Sequence, residues 1–298
     1  MSNASPALSA PLTAPLRPTR PKWWKRLARW PRTNPIGFIG AVVILLVILV
    51  AVLAPVLAPV NPTAQQFKRL LAPSPQNLLG TDELGRDVFS RIIYGARISL
   101  QVGIISVSIA LLLGATTGIL AGYFGGAFDS VAMRLVDILF AFPGLVLAIV
   151  IAGLLSPSIT NAMIAIGIIY APAYARVARS AVLVVKEELY IEAARLVGGR
   201  TSHIISRHVL PNIMVPLIVL TTLSMSTAIL TEAALSLLGL GTQPPDPSWG
   251  TMLSNGRKYM EIAPWLALFP GLAIMIAVLG FNFLGDGLRD ALDPRLKE

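Results

Sequence analysis

Six long apolar runs, nearly free of charge, dominate this chain. Residues 36–60 and 98–124 contain no Asp, Glu, Lys or Arg, and only one of the later runs contains a charged residue. The remaining runs cover residues 138–155, 159–175, 213–240 and 263–284. A helix needs about 20 residues to cross a hydrocarbon core of roughly 30 Å. Membrane strands would show alternation over about ten residues, which these runs lack. The pattern therefore predicts six transmembrane helices and an all-α integral membrane protein.

The composition supports lipid as the solvent around this chain. Charged residues make up 13% of the sequence, against roughly 25% in typical soluble proteins. The net charge of +9 does not indicate nucleic-acid binding, because the basic residues lie between the apolar runs, where membrane topology accounts for them. The chain has no cysteine, and its only histidines, His203 and His208, share one polar segment. We therefore predict no disulfide and no metal site.

The distribution of Lys and Arg predicts the orientation. Seven basic residues between positions 17 and 32 precede the first apolar run, with no acidic residue among them. Six spans starting from a cytoplasmic N-terminus place 17 of the 24 basic residues in the cytoplasm and return the C-terminus to the same side. Such a bias is typical of membrane proteins, whose cytoplasmic loops are enriched in positive charge. Both termini are therefore predicted to be cytoplasmic.

The spans divide the chain into segments. The first apolar run is too long for a secretory signal and lacks a small-residue cleavage site, so we interpret it as an uncleaved anchor. The predicted segments are a basic, largely disordered cytoplasmic N-terminus (1–34), the anchor helix (35–60), an extracytoplasmic segment (61–97), a five-helix core (98–288) containing a cytoplasmic loop (186–211), and a cytoplasmic tail (289–298).

The second run carries a stripe of small residues that predicts close helix packing. The residues recur at intervals of four: Ser106, Ala110, Gly114, Gly118 and Gly122. Residues at this spacing share one face of a helix, and small side chains on a membrane helix allow a second helix to approach closely. Pro172 and Pro216 are predicted to kink the fourth and fifth spans.

The cytoplasmic loop contains a short predicted helix, residues 186–197, closed by Gly198 and Gly199. A second amphipathic stretch, 203–210, ends at Pro211, where the fifth span is predicted to begin. Helices that lie on membranes usually carry Lys and Arg on their polar face, whereas this one carries three acidic residues: Glu187, Glu188 and Glu192. Carboxylates are unfavourable beside an anionic leaflet. The loop helix is therefore predicted to dock on a protein.

The same loop resembles a known signature. Glu192-Ala193-Ala194, then Gly198, then Leu210-Pro211 is similar to the EAA motif of ABC importer permeases, with His208 where the general pattern has Ile. Residues 79–87, 235–241, 285–290 and 292–295 resemble segments of the C-type permeases of dipeptide, oligopeptide and nickel importers. In that family the loop couples to the ATPase. The resemblance assigns this role to Tyr190, Glu192, Ala193, Ala194, Leu196, Gly198 and Pro211.

The resemblance implies a type I ABC importer permease fold in the bacterial inner membrane. It implies a second, B-type permease that completes a path for di- or oligopeptides, two ATPase subunits that use ATP and Mg²⁺, and an extracytoplasmic peptide-binding protein. The chain itself is expected to bind no cofactor. Residues 80–87 have the spacing of a phosphate-binding loop but carry Arg86 and Asp87 where Lys and Ser or Thr are needed, so nucleotide binding is not predicted.

Ionisable residues in the apolar runs receive separate predictions. Glu232 in the fifth run either lines a water-filled path together with Ser224, Thr227 and Thr231, or forms a structural hydrogen bond to a neighbouring element such as Arg86 or Arg97. Asp137 is predicted to pair with Arg134 at spacing i, i+3.

Other functions remain open at this point. Nickel or another small solute is the alternative cargo within the same branch. A stand-alone secondary transporter would show ionisable residues at the membrane midplane and inverted repeats of broken helices, neither of which is visible. A membrane enzyme would need a nucleophile or a metal constellation inside the spans, and we identify no catalytic residue.

Overall fold

The computed structural model describes residues 31–292. Most of the N-terminal segment predicted to be disordered, and the end of the predicted cytoplasmic tail, lie outside this range. Within it the chain is helical, with one isolated bridge between Thr81 and Asp87. The helices are α1 (Pro35–Val52), α2 (Ala54–Leu57), α3 (Val88–Ala110), α4 (Thr116–Phe124), α5 (Gly126–Ala141), α6 (Gly144–Leu154), α7 (Ile159–Val185), α8 (Leu189–Leu196), α9 (Thr201–Ile204), α10 (Leu210–Leu237), α11 (Trp249–Arg257) and α12 (Trp265–Leu292).

Five helical segments of the described chain are long and apolar enough to cross a membrane: Pro35–Val52, Val88–Phe124, Ile159–Val185, Thr201–Leu237 and Trp265–Leu292. The third predicted span differs from the prediction. Helices α5 and α6 are bent by 93° relative to each other, which is the geometry of a broken span or of a re-entrant loop and not of a straight helix. The break falls at Phe142, which is extended, and Pro143, which has no backbone N–H to continue a helix.

Several helices extend beyond the apolar runs. Helix α3 begins at Val88, ten residues before its run, because the Asp87 carboxylate accepts a hydrogen bond from the Ser90 backbone N–H at 2.8 Å and caps the helix. Arg91 therefore lies in a helix rather than in the predicted outer loop. The fifth span is continuous from Thr201 through a π-helical turn, Ile205–Val209. Pro211 therefore lies within one continuous helical rod, Thr201–Leu237, and not at the start of a free-standing helix.

The stripe of small residues lies against α7. A Cβ atom added to Gly114 would clash with the backbone carbonyl of Ala171, and one added to Gly118 would clash with the carbonyl of Ala175. A Cβ at Gly122 would lie 3.1 Å from the carbonyl oxygen of Arg179. Hydrogen in place of a side chain lets the two backbones approach at three successive turns. Pro172 and Pro216 lie inside α7 and α10, respectively.

The first helix packs on the last. Gly37 of α1 and Gly287 of α12 meet backbone to backbone, so that neither position has room for a Cβ atom. Asn34, which caps α1, donates a hydrogen bond to the Gly287 carbonyl at 3.3 Å and another to the Asp290 carboxylate at 3.2 Å. The anchor helix is thus attached to the core through its N-terminal end.

The predicted pairing of Asp137 with Arg134 is wrong. Asp137 instead accepts a hydrogen bond from Arg176 of α7 at 2.7 Å, and the Arg176 guanidinium lies 4.0 Å from the centre of the Phe140 ring. Asp129, about two turns earlier on α5, and Arg179, one turn later on α7, form a second, bidentate pair at 2.6 Å. Because α5 lies alongside α7, its carboxylates reach cations on the neighbouring helix in preference to one on their own.

Candidate functional site: the tethered loop helix and the hydroxyl face

Helix α8 is anchored on one face and exposed on the other. Ile191 is fully buried and belongs to the main hydrophobic core, together with Ile204 and Val209 from the start of the following rod. On the opposite side, Leu196 is 82% exposed and Leu189 is similarly exposed. An eight-residue helix has little stability of its own. The buried face therefore holds α8 in place, and the apolar exposed face is left available for contact with a partner.

Gly198 ends this helix in the left-handed region, with φ of +78°. Its backbone N–H donates to the Arg195 carbonyl, and the N–H of Gly199 donates to the Ala194 carbonyl, both at 3.0 Å. Nothing lies within 4 Å of a Cβ added at Gly198. The constraint at this position is therefore backbone conformation, for which glycine is favoured, and the space beside it is open.

The other predicted coupling residues surround this exposed face. Glu192 and Ala193 are exposed, Ala194 is half-buried, and Pro211 is exposed near the start of the rod. The Tyr190 ring lies 6.3 Å from the ring of His208. Partial burial, followed by the negative charge of Glu188, raises the pKa of the Tyr190 hydroxyl. The phenol is therefore protonated at neutral pH and can donate a hydrogen bond.

Hydroxyl groups connect α7 and α10 within the membrane region. Tyr170 and Thr231 share a hydrogen bond of 2.8 Å, and the Tyr174 hydroxyl donates to Thr221 at 3.3 Å. Of the predicted path residues, Thr227 is exposed and Thr231 is half-buried, whereas Ser224 is buried. Sequence analysis missed Tyr170. The only signal in the sequence was a phenol within an apolar run. That this phenol faces a threonine-rich span is seen only in the structure.

Of its two predicted roles, Glu232 has the structural one, a hydrogen bond to a neighbouring element. Its partners are not the arginines that the sequence suggested. It is 1% exposed and accepts hydrogen bonds from the hydroxyls of Ser236 at 2.7 Å and Ser248 at 2.8 Å. Arg86 instead pairs with Asp82 at 2.6 Å, and Arg97 is exposed. The segment around Ser248 covers Glu232, so its carboxylate faces no open cavity among the described residues.

The loop before α3 is held by buried charges. Asp82 contacts both Arg86 and Arg91, the latter at 3.5 Å, and all three side chains are buried. Arg91 also donates to the Pro62 carbonyl at 3.0 Å, and Asn77 donates to Asp87 at 3.1 Å. These bonds give the loop a fixed shape without regular structure. The segment with phosphate-loop spacing is thus an ion-paired turn.

The long apolar helices, the bent pair and the exposed loop helix define a multi-pass membrane protein. A family model described as "binding-protein-dependent transport system inner membrane component" matches residues 114–298. A second, described as the "N-terminal TM domain of oligopeptide transport permease C", matches residues 22–73. The chain belongs to the family of binding-protein-dependent transport system inner membrane components.

Individual relatives agree with this assignment. The chain is 47% identical over 279 residues to the dipeptide transport system permease protein DppC of Alkalihalophilus pseudofirmus, covering 92% of this chain and 90% of the relative. It is 49% identical over 225 residues to the glutathione transport system permease protein GsiD of Pectobacterium atrosepticum, covering 76% and 75%. It is 45% identical to the di/tripeptide transport system permease protein DppC of Pseudomonas aeruginosa, covering 88% and 89%.

A solved structure of the inward-facing MetNI methionine ABC transporter has a similar fold. It aligns with a TM-score of 0.57 at 19% identity and covers 69% of this chain and 98% of the other. The predicted all-α permease class, the ABC importer family and the location in the bacterial inner membrane are therefore confirmed.

Proposed function

We propose that this chain pairs with a second, B-type permease to form the path of an ABC importer for di- and oligopeptides. Two ATPase subunits supply the work, using ATP and Mg²⁺, and an extracytoplasmic binding protein delivers the peptide. This chain performs no catalysis itself. The observation that carries the proposal is the tethered helix α8, whose apolar exposed face has no partner among the described residues of this chain.

The composition of that face favours a protein partner over lipid. Leu189, Leu196 and Val197 are each more than 80% exposed, and Glu192 lies beside them. Burying one such side chain contributes about 1.5–3 kcal/mol, so a groove that covers all three would gain a substantial part of a stable interaction. The carboxylate opposes insertion into an anionic leaflet. The proposed occupant is therefore a groove of the ATPase subunit.

The hydroxyl face of α7 and α10 suits a peptide in transit. The hydroxyl protons of Thr227 and Thr231 bond to backbone carbonyls of their own helix, and Tyr170 bonds to Thr231. Each hydroxyl oxygen keeps accepting capacity. Every peptide presents backbone N–H donors, so such a surface would contact peptides without selecting a side chain. Substrate choice would rest mainly with the binding protein. Residues 62–97 and 242–260 form the outer segments proposed to contact it.

The test is to remove apolar area from the exposed face of α8 in the reconstituted complex. Leu196→Ser should lower the affinity of the permease pair for the ATPase by about tenfold or more, because a leucine would no longer be buried. Leu154→Ser is the matched control, since Leu154 is also 82% exposed but ends α6 in a different part of the molecule. Equal effects of the two substitutions on ATPase binding and peptide uptake would contradict the docking role.

A second experiment separates the alternative functions. Copurification from native membranes, followed by identification of the ligand on the binding protein, distinguishes peptides from nickel or another small solute. A stand-alone secondary transporter would instead move solute in liposomes with an ion gradient and without an ATPase. Uptake that requires ATP and the binding protein is the expected result.

A further inference from the structure

Glu232 occupies a junction between two helices. It lies near the end of α10 and accepts hydrogen bonds through one carboxylate oxygen from Ser236, on its own helix, and from Ser248, which precedes α11. The side chain is 1% exposed. A buried carboxylate is unfavourable unless hydrogen bonds compensate it. Oε1 is compensated by both serines, whereas Oε2 has no hydrogen-bond partner among the described residues. The two bonds to Oε1 tie α10 to the start of α11 at this point.

Ser248 also begins helix α11. Its hydroxyl accepts the backbone N–H of Thr251 at 3.1 Å, while its own N–H donates to the Thr251 hydroxyl at 3.1 Å. The same hydroxyl oxygen that caps α11 therefore donates to Glu232. A Cβ atom added to Gly250 would lie 2.8 Å from Glu232 Oε2, so the first turn of α11 rests directly on the carboxylate.

Helix α11 is attached to α3 at the same place. The Trp249 backbone N–H donates to the Ser99 hydroxyl at 3.3 Å, and its indole N–H donates to the Ile92 carbonyl at 3.0 Å. Trp249 is 3% exposed. The N-terminal end of α11 is thus held by two spans, while Arg257, at its other end, and Lys258, just beyond it, are exposed.

The helix that carries Glu232 reaches the loop helix at its other end. The segment Thr201–Leu237 is a continuous 37-residue helix, which corresponds to about 55 Å at 1.5 Å per residue. Ile204 in its first turn is buried in the same core cluster as Ile191 of α8. One rod therefore contacts the proposed ATPase-docking helix at one end and holds α11 through Glu232 at the other.

We propose that Glu232 is a positioning residue that fixes α11 to the outer end of α10. Binding-protein docking on the 242–260 segment and ATPase docking on α8 then act on the same rigid element. This inference depends on the proposed function, because it assigns the outer segment to the binding protein. A carboxylate bond to a helix cap joins the two helices at a defined point, whereas apolar packing alone would permit sliding.

The experiment measures ATPase activity of the reconstituted complex with and without loaded binding protein. Glu232→Met keeps similar side-chain volume and removes the acceptor for both serines. The expected result is a loss of about tenfold in stimulation by the binding protein, as the loss of two hydrogen bonds at one junction predicts, with basal activity unchanged. Glu232→Gln retains an oxygen acceptor and should restore stimulation. A general packing defect would lower basal and stimulated activity together and would not be rescued by glutamine.

Two further variants keep the test decisive. Ser248→Ala removes the link between the helices without altering Glu232, and it should also lower stimulation. It is the test variant to use if Glu232→Met fails to assemble. Thr222→Val is the control, because Thr222 lies on the same helix, on the side opposite Thr231, and bonds only its own helix, at Ile218. If Glu232→Met is stimulated as strongly as the wild type, this inference is overturned and the proposed function is not. The same holds for Ser248→Ala when Glu232→Met does not assemble. Absence of ATP-dependent uptake by the unmodified complex overturns the proposed function.

Discussion

The contact between the second and fourth predicted spans can be tested by adding single methyl groups to the glycine stripe. At Gly118 an added Cβ would clash with the Ala175 carbonyl oxygen and lie 2.9 Å from the Ala178 Cβ. Carbon atoms in contact normally lie about 3.5–4.0 Å apart, so the helices would have to separate by roughly 1 Å. Overpacking of this kind costs about 1–3 kcal/mol.

The glycine-to-alanine change also has a favourable part, because alanine is the better helix former by about 1 kcal/mol. Gly118→Ala is therefore expected to be destabilised by about 0–2 kcal/mol net, which is about 1–3 kcal/mol less stable than an alanine that meets no neighbour. Gly153→Ala supplies the control, since nothing lies within 4 Å of a Cβ at that helical position, and it should be neutral or slightly stabilised. Among the glycines of the stripe, Gly122→Ala should lose the least stability, because the closest approaches at that position are 3.0–3.1 Å.

The assay is reversible unfolding of the purified chain in mixed micelles with increasing SDS, followed by circular dichroism. The measured quantity is the difference in free energy of unfolding between each variant and the unmodified chain. The packing argument would be refuted if Gly118→Ala were as stable as Gly153→Ala, because a separation of about 1 Å between packed helices should be visible as lost stability.

Other predictions address the coupling, the path, the outer loop and the orientation. Gly198→Ala should weaken ATPase binding about fivefold, because a left-handed residue with a Cβ costs about 1 kcal/mol; titration with the ATPase measures it, and unchanged affinity would contradict the argument. Tyr170→Phe should reduce peptide uptake by about two- to fivefold with ATPase activity retained, since one neutral hydrogen bond is lost; equal loss of both would indicate misfolding. Arg91→Met should destabilise the chain by about 1–3 kcal/mol, because the Pro62 carbonyl loses its buried donor while Asp82 keeps its closer pair with Arg86, as SDS unfolding would show. The chain has no cysteine, so Leu189→Cys should react with an impermeant thiol reagent only from the cytoplasmic side and Met260→Cys only from outside; the reverse pattern would contradict the predicted topology.

The sequence alone determined the class of protein and the position of the loop helix. Charge-free runs of this length cannot be placed in water at acceptable cost, so membrane spans follow from hydrophobicity without any knowledge of contacts. Gly198 is likewise a local signal, because a helix that ends in a left-handed turn favours glycine wherever it occurs. The spacing of Gly114 and Gly118 identified a face by helical periodicity alone.

Only the tertiary structure decided which partners those faces and charges meet. Asp137 lies three residues after one arginine but pairs with Arg176, because the distance between neighbouring helices is set by packing and is invisible to local spacing. Glu232 is held by Ser248, which caps a following helix, although arginines in the loop before α3 were the more obvious candidates by charge. Periodicity and hydrophobicity act within a helix, whereas the register between helices depends on the joint fit of many side chains, and that fit exists only once the chain has folded.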